Sequence, residues 1–408
     1  MIKIGDLQID KFYLGDTSDA KIYLGDVKVW PKEEEEPGTY PYAFKRVSRG
    51  GSAYTVDCNS TSSNTIGSSD SQSGLRSAEI SGSTSDNTPV SVVFGDCCKQ
   101  IYTGVCSGWT YLTSVTISDN VTTLGAQSFS NTPRVEHLKI GSGITKLTEY
   151  RPFIDTGRSA STKPDLDLSK NVGLNVGKSN TIFSWCYFNN VILPKNCTLG
   201  TSSFDTCSAS TLSFGSGTII SDGNDWPSIS SVFYNCKISN IDLNGVTKIG
   251  NYAFYNLSGC TSITIPPSVT DFGTYAFSGV SSLNSVTIDY ASNATLKSGQ
   301  FKGCKSITSL TIGSHPTSIG GNMFDNCTKL TTLVIPSNIS SIGGYAFYNC
   351  SGLTSITVES VTPPTLGSNA FYSIKYNCLI YVPPESVDAY KAASGWKDYA
   401  SRIKAIPT

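Results

Sequence analysis

Histidine is nearly absent from this chain: His137 and His315 are the only two in 408 residues. They fall seven repeat spacings apart, so they cannot share a Ser-His-Asp set or a histidine-based metal centre. Charge is also scarce. Charged residues make up 15% of the chain and the formal net charge is -1, which excludes the basic footprint of a nucleic-acid or acidic-membrane binder. No stretch approaches the roughly 18 apolar residues of a membrane span. The opening Met1-Ile2-Lys3-Ile4-Gly5-Asp6 has neither the basic leader nor the apolar run of a secretion signal, so any role outside a cell is expected to use another route of exit. H-E-x-x-H, G-x-S-x-G and P-loop patterns are all missing. These absences lead to an expectation of no catalytic residues, no metal and no cofactor.

What the chain does have is a period. Phe94, Ile117, Ile140, Leu168, Leu193, Phe214, Leu243, Ile265, Ile288, Ile312, Ile335, Val358 and Val382 mark successive units 21 to 29 residues apart. A fixed period overrides the usual inference of domain count from length, because repeats share one core. Each unit opens with an apolar-x-apolar strand, as in Ile263-Thr264-Ile265, whose outer pair points inward and whose middle residue faces solvent. The second half carries Ile-Gly and then Ala-Phe, as in Ile342-Gly343 and Ala346-Phe347. There the glycine permits a turn that a side chain would obstruct, and the phenylalanine plugs the core.

Thirteen cysteines contain no C-x-x-C pair. Cys186, Cys207, Cys236, Cys304, Cys327 and Cys350 each stand three residues after a phenylalanine, a slot that other units fill with Leu257, Val280 or Ile374. A slot shared by these residues is a small apolar one, and free cysteine behaves as a small hydrophobe there.

The ends differ from the body. Gly-Asp pairs recur ten residues apart in Tyr13-Leu14-Gly15-Asp16 and Tyr23-Leu24-Gly25-Asp26, which predicts two or three short strands with tight turns. The expected organisation is an N-terminal β anchoring module over 1–31, an acidic and proline-bounded linker over 32–39 and a Ser/Thr/Gly-rich lead-in over 40–91. A solenoid over 92–380 and a strand-helix cap over 381–408 follow. In the cap, Glu385 opens the helix, Gly395 lies beyond its end, and Trp396, Tyr399 and Ile403 cover the last rung.

The unit Leu-Thr-Ser-Ile-Thr-Ile-Pro-x-x-Val-Thr-x-Ile-Gly-x-x-Ala-Phe-x-x-Cys, seen across Ser262 to Phe277 and Leu330 to Cys350, resembles the BspA-like class of leucine-rich repeats. The terminal Tyr381-Val382-Pro383-Pro384-Glu385 segment resembles the cap of that class. The resemblance implies a leucine-rich repeat solenoid, mainly β, with parallel strands, short turns and little helix. It further implies a bacterial surface adhesin. The first 30 residues are similar to anchoring ends of structural proteins of tailed, crAss-like gut phages. That likeness implies a virion fibre or decoration that docks to other virion proteins through Tyr13, Leu14, Tyr23, Leu24 and Trp30.

Recognition is expected where the repeat breaks, between about 160 and 240. Trp185, Tyr187, Phe188, Asp225 and Trp226 combine aromatic area with polar handles, as a sugar or protein site does; they equally suit a patch over an irregular core. His137, Asp167 and Asp242 lie at outward strand positions. Stacking would put Asp167 and Asp242 three strands apart, roughly 14 Å, too far for paired-carboxylate chemistry. The C-terminal strand face reads as a ladder of hydroxyls that stabilises the sheet. Tyrosines beside the core phenylalanines, among them Tyr252, Tyr275, Tyr348 and Tyr372, read as buried flank or sticky edge. The reading is therefore a displayed surface for a host-surface glycan or protein, on a virion or, alternatively, on a bacterial cell. A homo-oligomer is open; nucleic acid and membrane insertion are not expected.

Overall fold

A computed structural model describes residues 89–95, 99–101, 103–177, 181–223 and 231–407, together with the backbone of strands lying between Lys3 and Ile66. The chain divides into two compact units, 1–191 and 192–408. Both are stacks of turns built on parallel strands.

In the first unit, Lys11–Leu14, Ala20–Leu24 and Val27–Val29 form an antiparallel sheet, with Leu24 opposite Val27. A hairpin of Phe44–Gly50 and Ala53–Cys58 comes next. Ala53–Cys58 pairs in parallel with Val90–Phe94, which pairs with Leu112–Ile117, which pairs with His137–Lys139. The strand ladder thus continues upstream of residue 92. Trp30 and the 32–39 linker lie outside the described residues, as do the side chains of Tyr13, Leu14, Tyr23 and Leu24.

In the second unit each turn contributes one long and one short strand. The long strands include Ser262–Ile265, Ser285–Ile288 and Ser309–Ile312, aligned residue for residue. The short ones include Val246–Ile249, Asp271–Phe272 and Thr295–Leu296. Ile263, Ile265, Val286 and Ile288 are buried while Thr264 faces out, as the two-residue alternation requires. Leu310 and Ile312 depart from that rule, being only half-buried.

The bend after each short strand is where the phenylalanine enters. Two residues before it and two after it the backbone is left-handed: Tyr252 and Asn256 around Phe254, Asn322 and Asn326 around Phe324, Tyr345 and Asn349 around Phe347. This conformation costs a non-glycine residue about 1–2 kcal/mol. It turns alternate N–H groups along the stack, and Tyr252, Phe254 and Asn256 donate to the carbonyls of Thr274, Ala276 and Ser278 on the next turn. The rings stack in turn, with centroids 4.9 Å apart for Phe233–Phe254, 4.7 Å for Phe254–Phe277 and 5.5 Å for Phe324–Phe347. Phe129, Phe153 and Phe183 make a shorter column in the first unit.

The glycine of the Ile-Gly pair is required by close approach and not by unusual torsion. A Cβ on Gly343 would lie 2.5 Å from the Gly321 nitrogen, and one on Gly367 would lie 2.3 Å from the Gly344 nitrogen. Neither residue has positive φ.

The cap closes the second unit. Val387–Ala392 is helical, Gly395 turns the chain at φ 80°, and Trp396 is fully buried 5.9 Å from Phe371. The Trp396 indole donates to Pro364 O at 2.7 Å, and the Tyr390 hydroxyl to Ser360 O at 2.7 Å. Ile403 does more than cover the rung, because Ile403–Ala405 adds a final parallel strand to Leu379–Val382. Lys404 on that edge and Pro407 after it discourage further pairing. No helix among the described residues is long and apolar enough to cross a membrane.

Candidate functional site

The side chains singled out in the first unit separate by depth. Trp185 is 53% exposed, on a left-handed residue two places after Phe183. Such a conformation suits glycine or asparagine better than a bulky ring. Tyr187 is half-buried and structural. Its N–H donates to Thr156 O at 2.9 Å, and Lys163 Nζ lies 5.7 Å from its ring while bonding the carbonyls of Gly157, Arg158 and Ala160. That arrangement ties down the long 156–164 segment. Phe188 is buried, packed edge-on against Phe183 with ring centroids 6.2 Å apart, so it fills the irregular core and offers no surface to a ligand. Asp225 and Trp226 lie outside the described residues.

His137 and Asp167 are both exposed at outward strand positions, and Asp167 Oδ1 accepts the Ser169 N–H at 2.9 Å. Neighbouring Asp165 is a bracket between turns, accepting from Asn189 Nδ2 and from the N–H and Nδ2 of Asn190. A further exposed pair had no repeat signature to reveal it. Tyr150 is 45% exposed beneath the Arg151 guanidinium, 4.5 Å from the ring centroid. Arg151 Nε donates to Thr181 Oγ1 at 3.1 Å. Beside this pair Asp155 pairs with Arg158 at 3.2 Å, and burial raises its carboxyl above the usual range.

In the second unit Asp242 is exposed on the strand face, with Oδ1 accepting the Asn244 N–H at 3.0 Å. A depression of about 290 Å³ lies beside it, lined by Asp242, Asn244, Ser262 and Thr264 with the apolar Ile241, Leu243 and Ile263 at its floor. On the opposite side, Lys248 bridges Asp222 at 2.9 Å and Asp271 at 3.5 Å, and Asn251 N–H also reaches Asp222. The tyrosine flank is mixed. Tyr348 and Tyr372 stack 5.7 Å apart, and Tyr252 and Tyr275 lie 5.5 Å apart, yet Tyr345 and Tyr372 stay 40% and 58% exposed.

The cysteine slot is a thiol column. Cys186, Cys304, Cys327 and Cys350 are buried, and each donates to the carbonyl of the phenylalanine one turn earlier. Burial pushes Cys186, Cys304 and Cys350 up to about 12, which leaves them neutral and unreactive. Among the described residues no group of three or more His, Cys, Asp or Glu is placed to hold a metal ion.

A parallel-strand β-solenoid with a phenylalanine column, small buried residues beside it and a strand-helix cap is the architecture of leucine-rich repeats. The description "BspA type Leucine rich repeat region (6 copies)" fits residues 82–153, 179–305, 228–350 and 294–391, well over half of the sequence, and the chain belongs to that family. Among solved structures it is similar to a leucine-rich repeat protein from Bacteroides ovatus ATCC 8483, at 16% identity over 90% of this chain and 100% of that one, with a TM-score of 0.43. It is also similar to a leucine rich cell surface protein from Faecalibacterium prausnitzii A2-165, at 14% identity over 88% and 99%, with a TM-score of 0.29. The pneumococcal vaccine antigen PcpA is 13% identical over 89% of this chain and 95% of its own, with a TM-score of 0.36. No curated protein sequence matches the chain.

Proposed function

We propose that the protein is a surface-displayed adhesin whose repeat face recognises a host-surface glycan or protein. The observation that carries this is an outward face of exposed polar and aromatic side chains held on a rigid stack, with Trp185 half exposed on a left-handed residue. The torsion is the one the fold sets two residues after each phenylalanine, so the exposed indole itself carries the reading: burial does not account for it, and an accessible aromatic beside polar groups suits recognition. Membership of the BspA-type family supports a bacterial cell surface ahead of a virion as the place of display.

The test is adhesion. Beads coated with the full chain should bind mucin-coated or matrix-coated surfaces, and free protein should compete them off. Beads that bind no better than albumin-coated controls would sink the reading.

The virion fibre stands as a second reading on one observation, the antiparallel sheet of residues 11–29. So small a sheet is marginal by itself and gains from a partner, here other virion proteins. An antibody to residues 92–408 separates the two: labelling of bacterial surfaces favours the adhesin, and labelling of particles favours the fibre.

A further inference from the structure

The strand face of the second unit holds a cleft and a grid of hydroxyls that internal bonding does not use. Lys237–Asp242 pairs with Ser208–Ser213, and Ser262–Ile265 pairs with Ser285–Ile288, but the two pairs belong to separate sheets. They meet near their starts, where the Ile238 N–H donates to Ser258 O at 2.9 Å. Further along, the ladder is interrupted, and the depression of about 290 Å³ opens between Asp242 with Asn244 on one side and Ser262 with Thr264 on the other.

From that cleft the hydroxyls run on in two rows. Strand register puts Ser262, Ser285 and Ser309 in one row and Thr264, Thr287 and Thr311 in the other. Neighbours in a row are about 4.8 Å apart, and the rows are about 6.6 Å apart. None of these six hydroxyls has a hydrogen-bond partner among the described residues, and four of the six residues are exposed. Hydroxyls elsewhere on the same turns are consumed: Thr270 donates to Thr247 O, Thr308 to Asn284 O, Ser278 to Lys302 O and Ser282 to Cys260 O. The grid hydroxyls, by contrast, are left free to bond outward.

We infer that this cleft and grid bind a neutral polysaccharide lying along the stack. Each hydroxyl donates one hydrogen bond and accepts two, so the grid suits a chain that presents donors and acceptors at short regular intervals. A pyranose residue is close in length to one strand spacing, so three residues span the strands from Ser262 to Ser309. Asp242 keeps one carboxylate oxygen unengaged at the cleft, and it accepts from sugar hydroxyls while repelling acidic polymers.

The inference rests on the adhesin reading and names its ligand class. The full chain is run in native gels containing mixed-linkage β-glucan, xylan, galactomannan or soluble starch, with polygalacturonate as the acidic control. At least one neutral polymer should retard it and polygalacturonate should not. Asp242→Ala and Thr311→Lys, both at exposed positions, should each weaken that binding by tenfold or more with the melting temperature unchanged. Failure of all four neutral polymers overturns the inference, as does binding that survives both substitutions. Bead adhesion that persists in Thr311→Lys removes the grid and leaves the adhesin reading; polysaccharide binding without bead adhesion does the reverse.

Discussion

The Cys350 thiol donates to the carbonyl of Phe324 across 3.2 Å, one turn back in the stack. The bond recurs from Cys304 to Phe277 and from Cys327 to Phe301. The cysteine is therefore more than a small plug, because its thiol gives a second bond to a carbonyl that already takes the Cys327 N–H at 3.2 Å, a bond leucine in the same slot does not make. Cys350→Ala should lower stability by about 1–3 kcal/mol, from the lost bond and the void together, read as a shift in the urea midpoint. With iodoacetamide at pH 8, peptides containing Cys304, Cys327 and Cys350 should stay unlabelled in folded protein and label fully in urea, by mass spectrometry.

The left-handed residues predict an uncommon pattern of tolerance. Asn322 has φ 52°, so Asn322→Gly should be nearly neutral, whereas Asn322→Val should cost about 1–2 kcal/mol. The opposite holds at Gly343, where the added methyl meets the backbone of the previous turn. Gly343→Ala should destabilise more strongly, and equilibrium denaturation of the two series checks the contrast.

Closure of the last turn predicts fraying from one end. The Tyr399 ring packs edge-on against Phe371 with centroids 6.1 Å apart, covering the last ring of the column. Trp396→Ala should cost about 3–5 kcal/mol for the buried indole, and Tyr399→Ala, which removes a half-buried ring from the last turn, should cost less. Amide hydrogen exchange should rise first in the turns nearest the cap.

The Lys248 cluster predicts two pH limbs. Burial pushes the Asp222 carboxyl up, but the Asn251 N–H and Lys248 outweigh it and hold it below the usual range. Its contribution is present above the ordinary carboxylate range and is lost as pH falls through the lowered value. Burial lowers Lys248, but Asp222 and Asp271 outweigh it and raise the group above 10.5. That contribution is present below 10.5 and is lost as pH rises through the raised value. Lys248→Met should flatten the alkaline limb of urea-midpoint titrations; an unchanged limb would remove the cluster as its cause.

The period made most of the core legible. Ile265, Ile288, Ile335 and Val358 are fully buried as their spacing demands, and so is the cap residue Trp396. The left-handed pairs were not legible, because Tyr, Asn, Gly and Arg all occupy them and no residue type announces the torsion. Phe188 reads in the sequence as one of four aromatics available to a ligand; it is inside because an irregular unit needed filling, and Trp185 is outside two residues from the same ring column. The cleft beside Asp242 was hidden for a different reason. It arises from a gap in pairing between two strands whose local sequences both obey the repeat.

In the second unit each bend hands to its successor the same three N–H groups that its predecessor handed to it, as Tyr252, Phe254 and Asn256 do. Such a stack has a direction but no intrinsic length. A rung can be duplicated or deleted without rewriting its neighbours, and only the cap says where to stop. Selection can therefore change the reach of the outward face by whole turns while every contact that defines a turn stays as it is.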